Sequence, residues 1–165
     1  MKSMLVVCLL SVTLAAELAA QGPKYGATAT AEKNVDFAKF QTYSWQKGQP
    51  AFDKTIDAQI VAAVDAELAR LGMTRTTSAP FDVLVTYYSI ARTDVDLKGK
   101  PDAKGQLPQL TVGTLAIALL EPPSLRRVLR LKIDKPIDTE PAKLEAAINS
   151  AVAEMFTKFP KRKNK

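Results

Sequence analysis

The hydrophobic positions of this chain repeat with two different periods, and the alternation between them predicts the fold. Around Ile56, Ile60, Val64, Leu68 and Leu71 the apolar residues recur every three or four positions, the spacing of one helical face. A helix over Thr55 to Leu71 follows, with Gly72 placed to close it in a left-handed conformation. A second helical stripe, Leu144, Ile148, Ala151, Val152, Met155 and Phe159, belongs to a helix that opens at Pro141, continues to about Lys158 and is ended by Pro160. Between the helices the period drops to two or vanishes. Phe81 to Ile90 is rich in β-branched and aromatic residues, is apolar on both parities, and follows the turn signal Ser78-Ala79-Pro80. It reads as an inner strand, as does Val112 to Leu120. After the stiff turn at Pro122-Pro123 comes an alternating strand. Arg126, Val128, Arg130 and Lys132 fall on one face, and Leu129, Leu131 and Ile133 on the other. Ala27 to Ala31 and Gln41 to Trp45 are shorter strand signals, the first suited to an edge. Between those two, Asn34 or Asp36 is placed to cap a helical turn that points Phe37 and Phe40 inward.

The predicted order is β-β-α-β-β-β-α. This describes an α+β domain in which a single, mainly antiparallel sheet of about five strands packs both helices on one face. Arg92 to Leu110 is expected to be a long connection, and connections of that length are uncommon unless mobile or functional.

The start of the chain changes the setting. Lys2, the apolar run Met4 to Leu14 and the small residues Ala15, Ala16, Ala19 and Ala20 have the layout of a secretory signal peptide. Cleavage near Ala20 is expected, with Glu17 leaving the run short of the ~20 residues of a spanning helix. Residues 21–26 then form a flexible lead, 27–160 one domain, and 161–165 a basic tail. Cys8, the one cysteine, lies inside the apolar run, and the chain has no histidine. An exported domain without disulfides must be stabilised by its core, which ~145 residues suffice to build.

That composition removes much chemistry. A mature chain without His or Cys has no Ser-His or Cys-His nucleophile, and no soft or imidazole ligands for zinc. Ser44-Trp45-Gln46-Lys47 has Ser-x-x-Lys spacing but lacks the Ser-Asp-Asn and Lys-Thr-Gly companions of the penicillin-recognising enzymes. Asp94-Val95-Asp96-Leu97-Lys98-Gly99 begins like a calcium loop, yet Gly105 stands where the bidentate Glu belongs. No spacing singles out a carboxylate pair or a phosphate loop. The expectation is a domain that is not an enzyme and carries no metal or cofactor.

Two features remain as candidate sites. Tyr43, Trp45, Tyr87 and Tyr88 have the chemistry to line a groove, although aromatic residues on strands more often belong to the core. Arg126, Arg130 and Lys132 form one charged strand face in a chain of net charge +6 and pI about 9.4, a charge that removal of residues 1–20 leaves unchanged. Such a face is usually just the solvated side of a sheet. Its functional reading is attraction to an anionic envelope component: anionic lipid, lipopolysaccharide or a cell-wall polymer. Nucleic acid does not suit an exported chain. The competing reading is a periplasmic hydrolase or small-ligand-binding protein that uses residues 92–110 as a lid.

Several segments together resemble a bacterial envelope family, domain of unknown function 4136. Asp36-Phe37, Phe40, Thr42-Tyr43 and Trp45 are similar to its opening, and Ala63 to Leu68 with Gly72 to its helix. Asp82 to Val85, Gly113-Thr114-Leu115, and Met155-Phe156 with Phe159-Pro160 follow in the family's order. Members often carry a lipoprotein cysteine at the cleavage site, which this chain lacks, and Trp-Arg-Gly where it has Leu129-Arg130-Leu131. The resemblance implies an exported, envelope-associated domain and no defined activity.

Overall fold

A computed structural model describes residues 25–46, 51, 53–137 and 140–162; the signal-peptide reading and most of the flexible lead fall outside them. The elements are β1 (Gly26–Ala31), a 3-10 turn (Phe37–Lys39), β2 (Thr42–Trp45), α1 (Lys54–Arg70), β3 (Thr74–Arg75), β4 (Val83–Val95), β5 (Gln109–Glu121), β6 (Arg126–Pro136) and α2 (Pro141–Phe156). The six strands form one sheet in the order β1-β6-β5-β4-β2-β3.

The α+β class and the pair of helices agree with the sequence reading, but the sheet has six strands and is mixed. Two residues, Thr74 and Arg75, make the added strand, too short for any periodicity to mark. β2 runs parallel to both β3 and β4. The physical reason is the helix between them: α1 carries the chain back along the sheet, so the next strands start from the same end as β2. The remaining pairings, β1–β6, β6–β5 and β5–β4, are antiparallel as expected.

Helix boundaries follow local chemistry. Asp53 caps α1, its carboxylate accepting from the N–H groups of Thr55 and Ile56, and Gly72 closes the helix at φ +75. Of the two candidates for the 3-10 turn, Asp36 is the cap, accepting from Ala38 N–H, and Phe37 and Phe40 are buried behind it. Asp82 staples the starts of β2 and β4. Its carboxylate accepts from Gln41 N and Thr42 N, both at 2.8 Å, and from the Thr42 hydroxyl at 3.0 Å. Burial pushes this carboxyl up, but those bonds outweigh it and leave it below the usual range.

The core lies between the helices and one face of the sheet. Val64 and Leu68 of α1 and Val152 and Met155 of α2 are fully buried against Val83, Val85, Ile117, Leu119, Leu129 and Leu131. Each such side chain contributes about 1.5–3 kcal/mol. β4 is an inner strand, but only the parity of Val83, Val85 and Tyr87 is buried; Leu84, Thr86 and Tyr88 are half-exposed and Ile90 is exposed. No described helix covers that second face.

The expected long connection is mostly strand. Residues 92–95 belong to β4 and 109–110 to β5, so the two strands form a long hairpin arm. Its tip closes on itself, with Asp96 N–H bonded to Pro108 O at 2.8 Å and Asp102 N–H to Gln106 O at 2.8 Å. Asp102 Oδ1 also accepts from Lys104 N and Gln106 N at 2.8 Å each. A tip bonded in this way is a turn, and the lid reading finds no support in it.

Candidate functional site: the open face of the sheet

The uncovered face carries the even-numbered positions of β4 and β5 and, beside them, residues of β6. Register decides which β6 residues these are. Ala118 pairs with Arg130 and Ala116 with Lys132, but a bulge intervenes at the next step: Leu119 pairs with Leu129 and Leu120 with Arg127. Val128 is the extra residue, and it is buried in the core. The bulge reverses parity, so Arg127 shares the open face with Arg130 and Lys132. Arg126 faces the other way, opposite Glu121, with which it pairs at 2.7 Å. The predicted trio of Arg126, Arg130 and Lys132 is therefore corrected to Arg127, Arg130 and Lys132.

Not all of that charge is available. Asp134, at the next open-face position of β6, accepts from Lys132 Nζ at 2.5 Å, from the Thr114 hydroxyl at 2.5 Å and from Arg92 Nη1 at 3.0 Å. Thr114 is buried, and its hydroxyl accepts from Arg92 Nη1 at 2.7 Å while it donates to Asp134. Arg92 also holds Asp94, at 3.3 and 3.2 Å. Burial pushes the Asp134 carboxyl up, but the bonds from Lys132, Thr114 and Arg92 dominate and hold it down at about 2. Two carboxylates thus neutralise Arg92 and Lys132.

Arg127 and Arg130 are left. Arg130 donates to the Tyr88 hydroxyl at 2.7 Å, and its guanidinium carbon lies 5.9 Å from the Tyr88 ring centroid. Among the described residues neither arginine has a carboxylate partner. They border a shallow depression of about 510 Å³ with a floor of Thr86, Ala116 and Ala118 and a wall formed by Tyr88 and Leu120. Small residues on the floor let a ligand approach the sheet, and two guanidinium forks beside it suit carboxylate or phosphate oxygens.

The predicted aromatic groove does not form, because the four residues lie on opposite sides of the sheet. Tyr43 is buried on the helix side and donates to Asp65 Oδ1 at 2.7 Å. Trp45 Nε1 donates to the same oxygen at 2.8 Å, and Arg75 holds Asp65 Oδ2 at 2.8 Å. Tyr87 packs edge-on against Trp45, 6.2 Å between centroids; its hydroxyl donates to Asp57 and accepts from Ala51 N–H. Burial and the bond to Asp65 push the Tyr43 hydroxyl up; burial and the bond to Asp57 push that of Tyr87 up to about 12. Only Tyr88 reaches the open face.

The calcium-like acids are also engaged elsewhere: Asp94 pairs with Arg92, and Asp96 Oδ1 accepts from Lys98 N–H at 3.0 Å. Among the described residues no group of three His, Cys, Asp or Glu side chains is placed to hold a metal ion. At the far end of the helices, Arg162 of the expected solvated tail folds back, donating to Phe40 O at 2.7 Å. Lys39, Arg70, Lys161 and Arg162 line a recess there of about 900 Å³ at the C-terminal end of α1, where helix dipoles favour cations.

A six-stranded mixed sheet with two helices on one face and a charged open face defines the class. Residues 28–161 match the family described as Domain of unknown function (DUF4136), and the chain belongs to that family. Solved structures share the fold. A DUF4136 family protein from Bacteroides thetaiotaomicron has a TM-score of 0.57 at 14% identity, over 87% of this chain and 100% of its own. The PelC dodecamer from Paraburkholderia phytofirmans has a TM-score of 0.56 at 9% identity, over 83% of this chain and 98% of its own. A PDZ domain protein from Parabacteroides distasonis has a TM-score of 0.61 at 13% identity, over 85% of this chain; the match spans 36% of that longer protein. At these identities the likeness concerns the fold alone. No curated protein matches the chain. Among the described residues no helix is long and apolar enough to cross a membrane.

Proposed function

We propose that this chain is an exported, non-catalytic binding or structural domain of the bacterial envelope that contacts an anionic component through the open face of its sheet. The observation carrying this reading is the pair Arg127 and Arg130, left without carboxylates among the described residues beside a small-residue depression, while Arg92 and Lys132 on the same face are neutralised. Export is supported by the signal-like layout of residues 1–20 and by the family resemblance. The partner offers carboxylate or phosphate oxygens, as anionic lipid, lipopolysaccharide and cell-wall polymers all do. Exposed charges are screened over about 8 Å at physiological ionic strength, so binding weakens as salt rises. Co-sedimentation with phosphatidylglycerol vesicles and with purified cell wall tests the reading. Wild type should pellet in low salt, and the Arg127→Glu/Arg130→Glu double variant should stay in the supernatant. Equal behaviour of the two proteins would leave the face with only its role as the wet side of a sheet.

A further inference from the structure

A second concave site lies on the opposite, helix-covered side, where the core runs out. Helix-facing positions of β4 are large at Val83, Val85 and Tyr87 and then shrink to Ser89 and Ala91. Those of β5 shrink in the same direction, from Leu119, Ile117 and Leu115 to Gly113. Gly113 is fixed by a close approach: a Cβ there would stand 2.9 Å from Ile137 Cγ2. Over this low floor lie the first two turns of both helices, with Ile56 of α1 and Leu144, Ala147 and Ile148 of α2 lining the gap. The result is an open cleft of about 410 Å³, lined mainly by aliphatic side chains and by no aromatic ring among the described residues.

We infer that this cleft binds the aliphatic chain of a single-chain amphiphile with an anionic head. The lining selects the chain: a ligand rich in polar groups would lose hydrogen bonds to water and find few partners, whereas each buried methylene gains. Among the described lining residues a planar aromatic ligand would find no ring to stack on. Lys135 selects the head. It is the one cation among the described lining residues; its side chain is half-exposed, and so is that of its partner Glu154 at 3.1 Å. Unlike the tighter, more buried Lys132–Asp134 pair, this is a weak surface pair that an anionic head can enter. Asp53, the one carboxylate among the described lining residues, is engaged in capping α1. A carboxylate and a phosphate head share the chemistry that Lys135 recognises. The site is separate from the open face, so it stands or falls independently of the anionic-polymer reading.

Titration of the exported protein with 11-(dansylamino)undecanoic acid tests the inference. Saturable binding is expected, displaced by dodecanoate and by dodecyl phosphate, and less well by dodecyltrimethylammonium. Ala147→Trp on α2 and Ala91→Trp on β4 fill the cleft from opposite walls, and each should lower affinity at least tenfold with the fold retained by circular dichroism. Lys135→Glu should erase the preference for anionic heads. Dodecanoate should shift the methyl resonances of Ile56, Ile137 and Ile148 in wild type, a readout that needs no variant to fold. Absence of saturable binding, full affinity in the folded Trp variants, or equal loss in the Arg127→Glu/Arg130→Glu variant would overturn the assignment.

Discussion

Asp65 joins β2, β3 and α1, and removing its carboxylate is the sharpest test of the structural account. One oxygen accepts from Tyr43 and Trp45, and the other from Arg75. Tyr43 is 1% exposed, so an Asp65→Ala variant leaves its hydroxyl without an acceptor where water has little access. A buried donor left unpaired costs about 1–3 kcal/mol. Trp45 is only half-buried and Arg75 half-exposed, so their losses are partly made up by water. The sum is about 2–4 kcal/mol. Asp65→Asn keeps one carbonyl oxygen for Tyr43 and Trp45 and should lose about half as much. The chain has one tryptophan, so urea unfolding followed by Trp45 fluorescence reports directly on this cluster. Adding Tyr43→Phe to Asp65→Ala should recover part of the loss, because the orphaned hydroxyl is gone. An Asp65→Ala variant within about 0.5 kcal/mol of wild type would refute the reasoning and return Tyr43 and Trp45 to consideration as ligand-facing residues.

Other predictions follow from the network and the core. Asp134 titrates lower in the folded protein than its usual 3.8, so its stabilisation is complete above that value and fades as pH falls toward about 2. The shift corresponds to about 2 kcal/mol, and Asp134→Asn should flatten the stability loss measured by urea unfolding between about pH 4 and pH 2. Leu68→Ala, at a fully buried site, should cost about 2–5 kcal/mol. Ile148→Ala, on the wall of the open cleft, should cost distinctly less, as chemical denaturation would show.

The strongly periodic elements were legible because one constraint dominated each. Amphipathic spacing placed α1 and α2 to within one or two residues, and β4, β5 and β6 emerged from runs that only a sheet accommodates. What the residues withheld were features set by pairing. Parallel β2 depends on where α1 delivers the chain, and the two-residue β3 exists because Thr74 N–H meets Gln41 O and Thr76 N–H meets Tyr43 O. The hairpin arm was hidden because Gly, Pro and charged residues at its tip resemble those of a loop, while Arg92 to Val95 form strand through register with β5. The bulge did leave a trace. Strict alternation places Val128 among charges and Arg127 among the leucines, and a shift of parity at that point resolves both conflicts. Asp134 and Thr114 carry no such trace, since their partnership spans two strands.

The parity shift also supplies the most direct test of the central claim. Arg126 and Arg127 are adjacent and chemically identical, yet the structure places only Arg127 on the open face beside Arg130. Arg126→Glu and Arg127→Glu change the net charge by the same amount, so any general effect of charge cancels in the comparison. Binding of each to anionic vesicles and to cell wall in low salt should differ. Arg127→Glu is expected to weaken binding about fivefold or more, equivalent to about 1 kcal/mol, and Arg126→Glu to leave it near the wild-type value. Equal weakening by the two substitutions, or none by Arg127→Glu, would contradict the assignment of the open face as the binding surface.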